Sequence, residues 1–281
     1  MKKVAIQGIS GSYHEVAARS YFKGEKIEII DCNNFKEVFA CMHKDPSVIG
    51  VVAIENTIAG SLLPNYELLR ASHLAIVGEY KLRISHSLAA LKGTKKNDII
   101  EIGSHPIALM QCTDYLNQNF AHTKVIEKND TASSAREIAE KQLVGHAAIC
   151  GAEAAKIYGL DVLDSGIETN KRNSTRFLVI ADRWNSEKLV NKENINKASI
   201  VFAVPHSSGS LCKVLSTLWF YNINMNKIQS LPIIGREWEY LFYVDVTFNN
   251  YIEYTQALDA IRPLTKECQI LGEYEEGQHS A

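Results

Sequence analysis

The chain has 281 residues, enough for two or three compact units, and 30 Lys plus Arg nearly balance 32 Asp plus Glu for a net charge of -2. That balance gives no electrostatic footprint for nucleic acid or an anionic membrane surface, so a small molecule is the expected partner. No stretch approaches the roughly eighteen consecutive apolar residues of a membrane helix. The three-residue apolar run within Met1 to Gly8 is too short for a signal peptide, and a cytoplasmic protein is expected.

Short β-rich runs alternate with helical patterns from the N-terminus. Strands are predicted near 3 to 7, 26 to 31, 49 to 54 and 74 to 78, with helices near 14 to 22, 34 to 43 and 63 to 71. Val51 to Ile54 is apolar throughout, as a strand covered on both faces should be, and polar residues begin at Glu55 and Asn56. A second series follows: strands at Leu82 to Ala90, Ile99 to Ile102, Lys124 to Ile126 and His146 to Cys150, with helices at Pro106 to Asn117, Thr131 to Lys141 and Ala152 to Tyr158. The strand Thr175 to Ala181 closes the region. Two sheet-based lobes with a cleft between them are the expected arrangement.

From Asp182 to Lys197 the composition turns polar and charged, as in a linker. Beyond it come strand Ala198 to Val204, helix Gly209 to Tyr221, strands Ile223 to Leu231 and Tyr240 to Phe248, helix Tyr254 to Ile261 and strand Glu267 to Glu273. This βαββαβ order predicts a ferredoxin-like α+β unit.

The six cysteines form no C-x-x-C pair, and the nine histidines show neither H-x-H nor H-E-x-x-H spacing. Buried reduced thiols, no metal site and no cofactor are expected. Anions gather at strand C-termini and the helix starts that follow them. Gly8 to Tyr13, with two glycines and two hydroxyls, can wrap a carboxylate or phosphate there, but it lacks the spacing of a nucleotide loop. Asp130 to Ser133 reads equally well as a helix cap or a ligand contact. Asn56 follows a buried strand, where a turn is the usual reading. At Asn173 to Phe177, Arg176 in a surface ion pair and Thr175 as a strand former are slightly favoured over ligand contact.

Taken together, in order and over nearly the whole chain, these segments resemble the prephenate dehydratase family. The similar pieces are Gly8 to Tyr13, Glu55 to Gly60, His86 to Leu88, His105 to Cys112, Asp130 to Ala135 and Asn173 to Phe177, the last being a complete N-x-T-R-F. The resemblance implies a periplasmic-binding-protein-like bilobed domain over 1–183, with lobe 1 about 1–78 plus 175–183 and lobe 2 about 79–174. It implies a linker over 184–197 and an ACT regulatory domain over 198–281. The implied reaction is conversion of prephenate to phenylpyruvate, water and carbon dioxide in phenylalanine biosynthesis, without a cofactor.

In that reaction the resemblance gives Thr175 the catalytic role. It assigns substrate contacts to Gly11, Ser12, Asn56, His86, Gln111, Thr131, Asn173, Arg176 and Phe177, with His86 and His105 as titratable neighbours for proton relay. The ACT resemblance implies L-phenylalanine as effector, held by Gly209, Ser210, Leu211, Ser230 and Pro232, and a homodimer or homotetramer. Gln229 and Leu231 replace the charged residues of the family's second effector motif. An arogenate dehydratase and a non-catalytic small-molecule sensor are the competing readings.

Overall fold

The computed structural model describes residues 1–277. Residues 278–281, the end of the expected C-terminal unit, lie outside the described residues. The first lobe is built on the parallel strands Lys2–Gln7, Ile27–Cys32 and Ile49–Asn56, linked by helices Tyr13–Tyr21 and Phe35–Lys44. Val4 to Ile6 and Ile49 to Ile54 run through its centre and are buried on both faces, which explains their unbroken apolar sequence. The chain returns to this sheet late. Strand Ser174–Ala181 inserts antiparallel between Ile49–Asn56 and Ala75–Arg83, hydrogen-bonded on both sides.

The second lobe has its own five-stranded sheet, ordered Asp161–Ser165, Ser87–Ala90, His146–Cys150, Glu101–Ser104 and Lys124–Glu127. Two short segments, 84–86 and 166–173, carry the chain between the lobes. The single strand expected over 82 to 90 is therefore two, Ala75–Arg83 in one sheet and Ser87–Ala90 in the other. The helix expected over 106 to 117 is also two, Pro106–Gln111 and Thr113–Asn119. Its break has a local cause: Thr113 Oγ1 donates to Met110 O at 2.7 Å, and Gln111 O accepts at 2.8 Å from Thr169 N of the crossing segment.

Where a polar linker was expected, helix Arg183–Leu189 lies on the first sheet, with Leu189 and Val190 packed against its core. The C-terminal unit then runs Lys197–Ala203, helix Ser210–Phe220, Asn224–Pro232, Tyr240–Thr247, helix Tyr251–Ile261 and Glu267–Tyr274. This is the expected βαββαβ order in an antiparallel sheet. Val214, Leu218, Tyr254 and Leu258 of its two helices cover one face of that sheet.

The other face of this sheet is buried against lobe 1. Val201, Leu241, Tyr243 and Leu271 share one core with Ile54, Tyr66, Leu69 and Ile76. The two sheets also join edge to edge at Gly272 and Ile76, where a Cβ on Gly272 would come within 2.2 Å of the Ile76 carbonyl oxygen. The C-terminal unit is thus the back wall of the lobe that carries Asn56 and Thr175.

Candidate active site

A cavity of ≈ 380 Å³ opens between the two lobes, within the size range of small-molecule sites. A slip in strand pairing shapes its floor. Thr175 lies opposite Asn56 and Arg176 opposite Glu55, after which the register shifts and Phe177 faces Ala53. Residues three apart on a regular strand point to opposite faces, yet Ala53 and Asn56 both line the cavity. The extra residue of the bulge reconciles this and turns Ile54 and Glu55 the other way, into the core and toward Lys227 respectively.

Three amide side chains form a closed ring beneath the cavity. Asn56 Nδ2 donates to Asn173 Oδ1 at 2.8 Å, Asn173 Nδ2 to Gln111 Oε1 at 2.9 Å, and Gln111 Nε2 to Asn56 Oδ1 at 3.4 Å. The direction of the ring is set by the backbone, because Ile58 N and Ala59 N donate to Asn56 Oδ1 at 3.0 and 2.9 Å. Asn56 Nδ2 must then point outward, where it also donates to Thr175 Oγ1 at 2.9 Å. With its oxygen serving as acceptor there, the Thr175 hydroxyl keeps its own hydrogen for the cavity.

The same polarity fixes a histidine. Gln111 Oε1 lies 2.8 Å from His86 Nε2, so this nitrogen carries the hydrogen and Nδ1 carries none; it lies 2.9 Å from the Tyr13 hydroxyl, which also donates to Ser85 O at 2.8 Å. Burial lowers the His86 pKa from its ordinary value, against the opposing effects of Gln111 and Glu168. Burial likewise lowers His105, which caps its helix through Nδ1 to Ile107 N at 3.2 Å. His14 is lowered to about 3 by burial and packs edge-on to the Phe177 ring at 5.0 Å. All three histidines line the cavity, and all are neutral near pH 7.

Ser12 and Thr131 line the cavity at the starts of helices Tyr13–Tyr21 and Thr131–Lys141, but the protein caps both helices itself. Ser12 Oγ accepts from Glu15 N at 3.3 Å, and Asp130 Oδ1 accepts from Ala132 N and Ser133 N at 2.7 and 3.0 Å. Gly11 corrects an expectation. Its N–H donates to Glu15 Oε2 at 2.6 Å and it does not line the cavity; it is instead where the lobes touch, since a Cβ there would come within 2.7 Å of Ala154 Cα. Among the described residues lining the cavity there is no Lys or Arg, and Asp130 is the one carboxylate.

Arg176 is a second correction, because strand alternation turns it away from Thr175 and out of the cavity. Its guanidinium pairs with Glu79 Oε2 at 2.6 Å and with Asp245, and it donates to Tyr274 Oη at 3.0 Å. Lys197 adds a second buried cation, 2.8 Å from Glu79. Burial alone would raise the pKa of Glu79 and of Asp245, but the neighbouring cations outweigh it and both are lowered. The expected surface ion pair is therefore a buried cluster joining two strands of lobe 1 to three of the C-terminal unit, where removing one partner costs about 3–5 kcal/mol. Asn173, fully buried in the amide ring, holds other groups and does not line the cavity.

In the C-terminal unit, Gly209, Ser210 and Leu211 line a separate cavity of ≈ 330 Å³. Ser230 and Pro232 do not reach it; both lie exposed on the outer strand Asn224–Pro232. Tyr13, His14 and Ser61 also line the cleft without having been expected there as contacts. Tyr13 lay within a quoted motif, whereas Ser61 arrives through a hairpin that periodicity does not reveal.

These features define a bilobed α/β protein with a small-molecule cleft whose hydroxyl and amides are held from below. The sequence profile of the prephenate dehydratase family matches residues 4–185, and the chain belongs to that family of lyases. It is 34% identical over 288 residues to arogenate dehydratase/prephenate dehydratase 6, chloroplastic, of Arabidopsis thaliana, covering 97% of this chain and 68% of the relative. The chain spans about two thirds of the length of the curated relatives it matches. A prephenate dehydratase from Arthrobacter aurescens, solved in complex with L-Phe, superposes with a TM-score of 0.86 at 23% identity, over 98% of this chain and 90% of that one. GqqA, described as a novel type of quorum-quenching acylase, shares the fold with a TM-score of 0.86 and 26% identity, covering 98% of both chains.

Two outcomes follow from the amide ring and the buried imidazoles. Asn173→Asp keeps the acceptor for Asn56 but sets a carboxylate oxygen against Gln111 Oε1, and should cost about 1–3 kcal/mol in denaturant unfolding. An unchanged midpoint and slope would dissolve the ring as a structural unit. His14 gains its proton near pH 6.5 when unfolded but only near about 3 when folded, so its contribution to stability is intact above 6.5 and is lost as pH falls toward 3. His14→Gln should flatten the decline of Tm over that window, and parallel curves for parent and variant would contradict the neutral assignment.

Proposed function

We infer that the chain catalyses the decarboxylative dehydration of prephenate to phenylpyruvate, with arogenate as the alternative substrate of the same elimination. The observation that supports this most directly is the Thr175 hydroxyl, held as an acceptor by Asn56 and left with a hydrogen to donate into the cleft. In the reaction the bond from the ring to its carboxylate breaks. Its electron pair moves through the diene, and the C4–oxygen bond breaks. The dianion becomes a monoanion, carbon dioxide and hydroxide, and the hydroxide takes a proton from solvent to become water.

A donor placed at the departing oxygen stabilises the charge that develops there. An alcohol is too weak an acid to transfer its proton efficiently near neutral pH, so Thr175 acts as a hydrogen-bond donor. The bond from Asn56 Nδ2 draws density from Oγ1 and strengthens that donation. His86 serves here as a fixed neutral element of the network, its Nε2–H committed to Gln111. With no Lys or Arg among the described cavity-lining residues, the substrate carboxylates would meet neutral donors near Ser12 and Thr131. An apolar wall formed by Phe177, Leu62 and Ile107 suits the ring.

For the C-terminal unit we propose an ACT domain that senses L-phenylalanine. The βαββαβ order, the cavity at Gly209 to Leu211 and the left-handed backbone of Gly209 (φ +79) at its helix start support this reading. Ser230 and Pro232, on the exposed outer strand, would complete the site when that strand pairs with a second copy. A homodimer or homotetramer is the assembly this requires.

Thr175→Val preserves the shape of the side chain and removes the hydroxyl. It should lower phenylpyruvate formation about 10²–10³-fold, while Thr175→Ser stays within about tenfold of the parent. A Thr175→Val enzyme at the parental rate would end the proposed role. Turnover of prephenate and arogenate measured side by side assigns the substrate. L-Phenylalanine should depress the initial rate over the micromolar to millimolar range, and a flat dose response would remove it as effector.

A further inference from the structure

The residues that face the cleft from the paired strands 49–56 and 174–181 have neighbours that face the other way. Asn56 and Thr175 look into the cavity, while Glu55 and Arg176, opposite one another in the ladder, look toward the C-terminal unit. Arg176 is locked in the buried ionic cluster already described. Among the described residues Glu55 meets a single cation, Lys227, whose Nζ lies 2.9 Å from Glu55 Oε2.

Lys227 does more than pair with Glu55. Its ammonium also donates to Ser61 Oγ at 2.8 Å and sits over the Tyr66 ring, 5.4 Å from the centroid. Glu55 and Ser61 face each other across the hairpin that runs from Asn56 through Thr57, Ile58 and Ala59 to Gly60. One cation from the C-terminal unit thus grips both strands at the base of that hairpin. The turn above it supplies the Ile58 and Ala59 N–H groups that orient the Asn56 amide, and Ala59 and Ser61 themselves line the cleft.

We propose that Lys227 is a positioning residue for the dehydration: by clamping the Glu55–Ser61 hairpin it sets the orientation of Asn56 and, through it, of the Thr175 hydroxyl. This rests on the reading of Thr175 and Asn56 given above. The side chain of Lys227 is only 11% exposed and that of Glu55 37%, so solvent screens the pair in part but does not replace it. Lys227 does not line the cleft, so its loss alters the chemical step and leaves substrate affinity in place. Lys227 also lies two residues before Gln229, on the outer strand that carries Ser230 and Pro232. Displacement of that strand therefore reaches the hairpin directly.

The test is steady-state kinetics on the full chain with prephenate, and with arogenate in parallel, alongside circular dichroism and thermal unfolding of each variant. Lys227→Met and Glu55→Gln should each lower kcat about tenfold with KM within about twofold, the pattern of a lost transition-state interaction. Lys227→Glu should lose more, and the exchanged pair Lys227→Glu with Glu55→Lys should return kcat to within about threefold of the parent. A role in stability alone would lower Tm without this recovery of kcat. An unchanged kcat in Lys227→Met and Glu55→Gln, or a loss that the exchange does not recover in a folded protein, overturns the proposal. Thr175→Val separates the two levels: if it too retains the parental rate, the site reading itself has failed, whereas its loss beside a silent Lys227→Met sinks the clamp alone.

Discussion

The arrangement of the cleft depends on which way one amide points. Asn56 is turned by two backbone N–H groups of its own hairpin, and every later donor and acceptor in the ring follows from that choice. Asn173 must accept from Asn56 and donate to Gln111; Gln111 must accept from Asn173 and from His86. Thr175 is left holding a hydrogen. In a buried site a reversed amide would set like partners against each other at a cost of about 1–3 kcal/mol for each unsatisfied group, so the ring has one stable sense.

Around that ring the histidines serve as shape and polarity. Burial makes each of them a poor base, so these positions present fixed dipoles in place of titrating imidazoles. This suits an elimination driven by aromatisation, in which the leaving group needs stabilisation and the ring needs no electron sink. In the role proposed for Thr175, a donor already oriented needs no reorganisation when charge develops.

The C-terminal unit acts as structural support for the cleft from behind. One face of its sheet belongs to the same core as lobe 1, and two ionic contacts reach residues adjacent to Thr175 and Asn56. Strand alternation makes this possible, since a single pair of strands offers one set of side chains to the ligand and the next set to the neighbouring unit. A unit attached by a loose tether would lack such contacts. Helix Arg183–Leu189, packed on the first sheet, leaves little slack between the units.

Resemblance to the family picked out the motif segments that gather at the cleft, while period and composition were enough to read the two α/β series, the buried run at 49 to 54 and the βαββαβ order. These are local properties, fixed by which residues alternate, which cap and which turn. Strand ends and lobe crossings were harder: the run from 82 to 90 looks continuous, but its two halves belong to different sheets. Arg176 was read both as an ion pair and as a substrate contact, and only its partners Glu79 and Asp245, 97 and 69 positions away in the chain, decide between them. The same holds for the bulge at Ile54 and Glu55 and for the ring of Asn56, Gln111 and Asn173. Each depends on contacts between residues far apart in sequence, and the direction of a hydrogen bond or the face of a strand is defined only once its distant partner is in place.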